Sequence, residues 1–462
     1  MMITRKCLYV SIAVTFAITT SVSALAQTAR LSDEIIGKAG KPKLAVPDFR
    51  GTGRTAALMA AFNSTLFSDL QSSGVVDMIS KSYYPLQVPQ QPSDIRPQTP
   101  NAPPAQRGLA MPDWSAQDVG ASHLAIGYAA EVNGIFVLQG FLLDLHVPTV
   151  QGATVALGGG RGRYTESMDE NGARKAAHEF ANDIVVYFGG GSLTGSHIYF
   201  VSDRTGNKEI WVMDFDGGNP RQLTHSRSIN ITPGISPDGT LLAYTSYRTG
   251  RPQIDVIETG TGRMRQFLNP SASVNSSPEF SPDGRFMYFA STFGGGPEQI
   301  FRSSFNGGGL TAVGHSPAIE TEPKVNPKNP SQIVFVSGRS GPQQVYRMNS
   351  EGLDVERITN GEGEASNPSW HPDGQHILFS WTRGYAKGDW NVFLMDVASR
   401  RFDQLTHSEG RNENPVWAPD GRHLVFMSTR DGRKQIWTML ADGTEVKRLT
   451  NQGNNTQPVW GK

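Results

Sequence analysis

The residues of this chain best suited to chemistry return at a regular interval. A serine recurs in six places, Ser202, Ser246, Ser291, Ser337, Ser380 and Ser428, and an arginine follows closely in five, as Arg204, Arg248, Arg339, Arg383 and Arg430. A ring of guanidinium groups would grip a carboxylate-bearing partner, because each fork makes paired, charge-assisted hydrogen bonds. A residue present in every unit also has a simpler use. It hydrogen-bonds its own loop or pairs with its neighbour, and the repetition itself favours that use. Binding is then expected where the units differ.

They differ in two places. The residues before six recurring prolines are Thr232, Ser277, Glu322, Asn367, Asn414 and Gln457. Glu320, Glu364 and Glu413 add acids nearby, and Asn230, Asn275, Asn412 and Asn455 add amides. This predicts a polar, uncharged-to-acidic rim that hydrogen-bonds a partner's loop. The same oxygens suit Ca²⁺ in a central channel, since that ion takes six to eight oxygen ligands. The second difference is the stretch from Trp381 to Trp390, which breaks the repeat. It carries Trp381, Tyr385 and Trp390 with Arg383 and Lys387 among them. Trp and Tyr dominate the hot spots of protein interfaces. Aromatic packing that orders a long loop is the alternative, and a sugar or other small molecule would use the same rings.

Enzyme signatures are lacking. Gly314-His315-Ser316-Pro317-Ala318 misses the final glycine of a nucleophile elbow, and no H-E-x-x-H or phosphate loop occurs. Gly294-Gly295-Gly296 precedes a strand pattern, where a phosphate cradle needs a helix. His225, His315 and His407 hold equivalent positions, which points to a shared structural role rather than a metal site. The single cysteine is Cys7. It lies in a segment expected to be removed, which leaves no thiol for disulfides, metal sites or catalysis. No catalytic residue is predicted, and Ca²⁺ is the sole cofactor considered. Lys plus Arg equals Asp plus Glu at 42 each, which argues against nucleic acid or an anionic membrane as partner.

The elements that must position these residues are legible in the spacing. Pro233, Pro278, Pro323, Pro368, Pro415 and Pro458 follow one another at 45, 45, 45, 47 and 43 residues. Four are followed by a Pro-Asp-Gly turn, at 237–239, 282–284, 372–374 and 419–421, and 326–330 supplies a different turn in the remaining full unit. Alternating strands such as Leu242-Ala243-Tyr244-Thr245 and Gln344-Val345-Tyr346-Arg347-Met348 come between the turns. Four short strands per roughly 45 residues mark a propeller blade. The segment His197–Thr224 lacks an opening strand, and Gln457-Pro458-Val459-Trp460 supplies one. Closing the ring with it makes six blades over 195–462.

The preceding region reads as a mixed α/β domain over 27–188. A strand is expected at 43–46, a helix from Arg54 to Ser72, a strand from Val75 to Ser80, and a hairpin around Asn133-Gly134. A second helix is expected at 171–187. Residues 85–106 are rich in Pro and Gln, ordered as an excursion at best, and 189–194 form a Gly-rich linker. The first 26 residues read as a secretory signal, with Arg5 and Lys6, an apolar run and Ala24-Leu25-Ala26 for cleavage before Gln27; a retained anchor is the alternative. No later stretch is apolar enough to span a bilayer, so a soluble mature protein is expected.

This combination resembles the TolB family. In the α/β region the resemblance rests on Leu44-Ala45-Val46-Pro47-Asp48-Phe49, Asp69-Leu70-Gln71-Ser72-Ser73-Gly74, Asp113-Trp114, Gly120-Ala121-Ser122-His123-Leu124 and the run Ala177 to Asp183. In the propeller it rests on Ile198-Tyr199-Phe200-Val201-Ser202 and Val212-Met213-Asp214-Phe215-Asp216-Gly217. The resemblance implies a periplasmic, non-enzymatic component of the Tol–Pal system. It would be a monomer that binds a Pal-like lipoprotein at the propeller mouth and a TolA-like inner-membrane protein through its N-terminal region. It would meet membranes only through these partners, and would serve outer-membrane integrity and constriction at division. The partner-binding set expected at the mouth is Trp381, Arg383, Tyr385, Trp390, Arg204, Arg248, Arg339, Arg430, Glu322, Asn367, Glu413, Asn414 and Gln457. Two features depart from the family. Residues 27–41 do not match its TolA-binding peptide, and the Pro-rich stretch is longer. A small-molecule- or cation-binding propeller is the alternative function, and a propeller-associated hydrolase is a weaker one.

Overall fold

The computed structural model describes residues 30–37, 40–98, 101–158 and 162–462. The expected signal sequence and cleavage site lie outside the described residues. Among the described residues, no helix is long and apolar enough to cross a membrane.

Six four-stranded antiparallel sheets form the propeller. In blade 1, Asn455–Gly461 from the end of the chain is the innermost strand and pairs with His197–Ser202. That pairing closes the ring by giving blade 1 its fourth strand, and the edges left are the short ones a propeller protects. Blades 2 to 6 begin with the inner strands Asn230–Ile235, Asn275–Phe280, Glu320–Val325, Ala365–Trp370 and Asn412–Trp417.

The second strand of each blade is buried along nearly its whole length, as in Gln332–Ser337. Alternation of apolar and polar residues is the expectation for a sheet with one wet face. Here each blade is covered on both faces by its neighbours, so both sets of side chains must be apolar. One position shows this well. Phe200, Tyr244, Phe289, Phe335, Phe379 and Phe426 occupy equivalent sites, and all are buried.

The α/β domain is built on the hairpin His123–Val132 and Ile135–Asp144, turned by Asn133 and Gly134 at φ 52° and 77°. Lys43–Ala45 pairs in parallel with His123–Val132 and with Asp77–Met78. Helices Met59–Ser72 and Glu170–Tyr187 pack together through Phe62, Leu66, Leu70, Ala173, Ala177, Phe180 and Ile184. Asp169 caps the second helix by accepting from the Gly172 amide at 2.7 Å.

Two expectations shift in detail. The helix foreseen from Arg54 opens as a 3-10 turn, Gly53–Leu58, and becomes α-helical only at Met59. The strand foreseen at 75–80 is reduced to Asp77–Met78. The described part of the Pro-rich stretch is folded onto the domain: Val88 and Ile95 pack with Tyr84 around buried Trp114. The Arg96 amide donates to the Leu109 carbonyl at 2.7 Å, and the Arg50 amide to Gln90 Oε1 at 2.8 Å.

The two domains meet at the propeller end opposite the long inner loops. Arg422 donates to the carbonyls of Ile36 and Gly74, both at 2.9 Å, and His423 Nε2 to that of Ser72 at 2.8 Å. The short helix Leu31–Ile36 lies against blades 5 and 6, with Leu31 and Ile36 buried among Leu378, Leu394, Trp417 and Leu424.

Candidate functional site

The mouth of the propeller is organised by an irregularity that every blade shares. In blade 2 the inner strand pairs Ile231 with Thr245, then Gly234 with Ala243. Three residues advance on one strand against two on the other, so the strand bulges. The extra residue in each blade is the one before the proline. Thr232, Ser277, Glu322, Asn367, Asn414 and Gln457 all adopt left-handed backbone, with φ of 48°, 52°, 52°, 54°, 56° and 50°. None is glycine, and this conformation costs about 1 kcal/mol wherever the residue is not asparagine. The prolines that follow need no ladder partner, because the inner strand faces the channel.

The bulge links the ring together. The Asn367 amide donates to Glu322 Oε2 at 2.7 Å and its side-chain amide to Oε1 at 3.2 Å. The Thr232 amide donates to Gln457 Oε1 at 3.0 Å, and the Asn414 amide to Ser380 Oγ at 3.2 Å. These six residues and their prolines line an axial channel, which Lys324 also faces. Burial pushes the Glu322 carboxyl above its ordinary range, and the bonds from Asn367 offset this only in part. Glu279 is likewise raised by burial and pairs with Lys324 at 2.6 Å.

Of the expected partner-binding residues, Glu322, Asn367, Asn414 and Gln457 therefore converge on the channel. Glu413 lies beside them, bonded by Arg411 at 2.7 Å. The arginines do not converge. Arg204 donates to Ser202 Oγ at 2.9 Å and Asn455 Oδ1 at 3.0 Å, and its guanidinium sits over Trp211. Arg430 repeats this with Ser428, Asn412 and Trp437. Arg339 does so with Ser337, Glu320 and Tyr346. Arg248 pairs with Asp255 instead. Each arginine thus serves its own blade.

The fifth blade corrects two details. Strand register places Trp381 opposite Asn391, as Ser337 is opposite Gln344. Trp381 therefore holds the site of the repeated serine, and Ser380 is shifted by one residue. Trp381 is 0% exposed, packed on Phe379, Phe393 and Phe402, with Nε1 donating to the Glu362 carbonyl at 3.0 Å. Trp390 is also buried. These two rings cannot touch a partner; they hold the loop that presents Tyr385, which is 39% exposed. Arg383 stacks over Phe402 and Trp381 from the solvent side.

Four apolar residues at the mouth escaped the sequence reading. Ile229, Val274 and Ile319 immediately precede the inner strands of blades 2, 3 and 4, and Phe293 lies in the inner loop of blade 3. Ile319 is 54% exposed, and Ile229 and Phe293 are exposed as well. The equivalent positions in blades 5, 6 and 1 are Glu364, Arg411 and Asn454. The signal was an isolated apolar residue at one point of three successive repeats. The rim therefore has an apolar arc and a polar arc around one channel.

Comparison with known proteins bears on this geometry. The family model described as the TolB beta propeller domain matches residues 188–386 and 358–462. The chain belongs to the TolB β-propeller family. A TolB homologue of Chlorobium chlorochromatii is 38% identical over 146 residues, 31% of each chain. A protein of Jannaschia sp. named Tol-Pal system protein TolB is 27% identical over 263 residues, 53% of this chain and 54% of its own. The matched segments thus span about a third to a half of these relatives' lengths. The crystal structure of TolB from Acinetobacter baumannii superposes with a TM-score of 0.71 at 22% identity, over 91% of this chain and 96% of that one. That likeness covers both domains, so the TolB fold extends beyond the propeller.

Proposed function

We propose that this chain is the TolB component of a Tol–Pal system, a periplasmic binding protein without a chemical step. A Pal-like lipoprotein sits on the mouth, and a TolA-like inner-membrane protein engages the N-terminal region. The observation that carries this reading is the divided rim. An apolar arc of exposed Ile229, Phe293 and Ile319 with half-buried Val274 faces a polar arc of Glu364, Arg411 and Asn454, around a hydrogen-bonded channel. Apolar anchors beside satisfied polar groups suit a protein surface better than a substrate. Two buried acids at the channel are engaged, Glu322 by Asn367 and, just behind the lining, Glu279 by Lys324.

Engagement of the N-terminal region would require a rearrangement. Helix Leu31–Ile36 is docked here: the Ser32 amide donates to Asp403 at 3.1 Å and Glu34 pairs with Arg401 at 3.2 Å. A TolA-like partner would compete with these contacts.

Calcium in the channel is the second reading. Lys324 faces the same space and would oppose it, and calorimetric titration with calcium tests it directly. The primary test is calorimetry with the soluble part of a Pal-like lipoprotein. Ile319→Asp is expected to weaken binding at least tenfold, while Leu353→Asp, on an exposed turn at the opposite end, leaves it unchanged. Equal affinity for both variants and the parent would remove the mouth from the interface.

A further inference from the structure

The inner turn of blade 5 reads His371-Pro372-Asp373-Gly374-Gln375-His376. In blades 2 and 3 the first position is a serine. Ser236 and Ser281 donate to Asp238 and Asp283 at 2.6 Å, and accept from the amides of Leu241 and Phe286 at 2.9 Å. Blade 5 replaces that hydroxyl with an imidazole and adds a second imidazole at the start of the next strand. Asp373 Oδ2 then lies 3.0 Å from His371 Nδ1 and 2.8 Å from His376 Nδ1.

The hydrogens show what this arrangement lacks. His371 Nε2 is 2.7 Å from the carbonyl oxygen of Gly421. A carbonyl only accepts, so the neutral ring carries its hydrogen on Nε2 and a lone pair on Nδ1. That lone pair accepts from the Asp373 amide at 3.1 Å, a bond that an ion on Nδ1 would displace. It also faces a carboxylate oxygen with no hydrogen between them. A cation held by the three atoms turns this repulsion into coordination.

The outer contacts are those of metal-binding imidazoles, whose far nitrogens usually meet a carbonyl or carboxylate. His371 has Gly421, and His376 Nε2 lies 3.7 Å from Asp396 Oδ2. The His371 ring stands edge-on to Trp417, with centroids 4.5 Å apart, so packing fixes its direction. The Asp373 side chain is 31% exposed, which gives an ion and its water a route from solvent.

We propose that His371, Asp373 and His376 form a transition-metal site at the propeller end opposite the mouth. Two imidazole nitrogens and one carboxylate are the donor set of zinc and its borderline neighbours, and are poor for calcium or magnesium. Blade 6 is an internal comparison. Ala418 replaces the first histidine there, and the remaining pair, Asp420 and His423 at 2.6 Å, docks the other domain through Ser72. Among the described residues, blade 5 holds the one group of three such ligands. A bound ion ties its turn to blade 6 through Gly421 and stabilises the folded chain by mass action.

The test uses the full chain, free of any histidine tag, titrated with cobalt(II) in the visible range and with zinc(II) by calorimetry. A single equivalent is expected, with absorption bands of nitrogen-ligated cobalt that zinc abolishes. His371→Ser restores the hydroxyl of blades 2 and 3 and so keeps the fold. It is expected to weaken zinc binding at least tenfold, and Asp373→Asn to do the same. His407→Ala removes an exposed histidine elsewhere and is expected to leave binding unaltered. The proposal is overturned if the parent chain takes up neither ion, or if His371→Ser binds zinc as tightly as the parent.

Discussion

The two ends of the propeller are made from one repeat and have diverged in different ways. At the mouth, all six blades keep the same bulge and the same left-handed residue, and vary only the side chain it carries. At the opposite end, blades 2 and 3 keep a Ser-Pro-Asp-Gly turn that satisfies itself, while blades 5 and 6 replace its neighbours with His371, His376, Arg422 and His423. The mouth is a symmetric frame for exchangeable contacts. The other end is symmetric only where nothing is attached, and departs from the repeat where it carries the α/β domain and helix Leu31–Ile36.

The comparison is broken most severely at the domain seam. Asp420→Ala strands buried His423 without its partner and is expected to cost about 3–5 kcal/mol. The same change in blade 2, Asp238→Ala, opens an exposed turn and should cost about 1 kcal/mol. Denaturant unfolding of both variants checks this, and equal losses would mean that the seam is no more demanding than an ordinary turn.

Within the fifth-blade loop the contrast lies between support and contact. Trp381→Ala empties a closed core and is expected to cost about 3–5 kcal/mol of stability. Tyr385→Ala should change stability by less than about 0.5 kcal/mol and weaken partner binding by about 2 kcal/mol. Thermal unfolding beside calorimetric binding separates the two, and a reversal of these roles would place the tryptophan at the interface.

A smaller effect follows from pH. Burial opposes charge on His178, but the bond to Asp69 and the fields of Asp69 and Asp216 outweigh it, so its pKa lies above the ordinary 6.5. Asp69 is itself pushed up by burial, which His178 only partly offsets. That pair therefore holds its protons to a higher pH than the free groups. Burial also opposes charge on His423, and Asp420 with the Ser72 carbonyl raises it nonetheless. Stability from a raised histidine is complete below 6.5 and is lost as pH climbs through the folded value. Burial alone would raise Asp420, but the charge and hydrogen bond of His423 hold it below 3.8, so its contribution is present above 3.8 and fails on acidification. His178, His423 and Asp420 together favour the seam between 3.8 and 6.5 and loosen it on the alkaline side, while the raised Asp69 gives up its own share as pH climbs above 3.8. Melting temperatures from below 3.8 to well above 6.5, in the parent and in His178→Gln, test it; an unchanged alkaline loss in the variant would exclude His178 as its source.

The smallest expected effect sharpens the view of the mouth. Thr232 is β-branched and holds φ at 48°. Asn is tolerated in that region and stands at the same site as Asn367 and Asn414. Thr232→Asn should therefore stabilise by up to about 1 kcal/mol, unless loss of the Thr245 hydroxyl contact at 2.6 Å cancels it. A net loss measured by thermal unfolding would show that the hydroxyl pair outweighs the backbone strain.

How much of this was legible depends on whether the signal was local. The blade count came from the proline interval, because each blade needs the same turn at the same place. The ring of Glu322, Asn367, Asn414 and Gln457 followed, since equivalent positions in a closed ring must meet around its axis. The register of Trp381 did not follow. A one-residue offset between Ser380 and Trp381 looks like the same serine in sequence, and only strand pairing shows which side chain turns inward. The pairing of Arg204, Arg339 and Arg430 with their own blades was foreseeable as a class, but not their partners, because Asn455, Glu320 and Asn412 lie on other strands.

The sequence by itself determined the repeat, its closure by the final strand, the α/β partner and the absence of enzyme signatures. These rest on periodicity and turn chemistry, which act over a few residues. Tertiary structure alone decided which polar residues of the turns became domain contacts. Arg422 lies 348 residues from Gly74 and His423 351 from Ser72, and only the docked domains bring them within hydrogen-bonding distance. It also decided that His371 would face Asp373 with its far nitrogen held by blade 6, since the orientation of an imidazole is set by the neighbours it packs against.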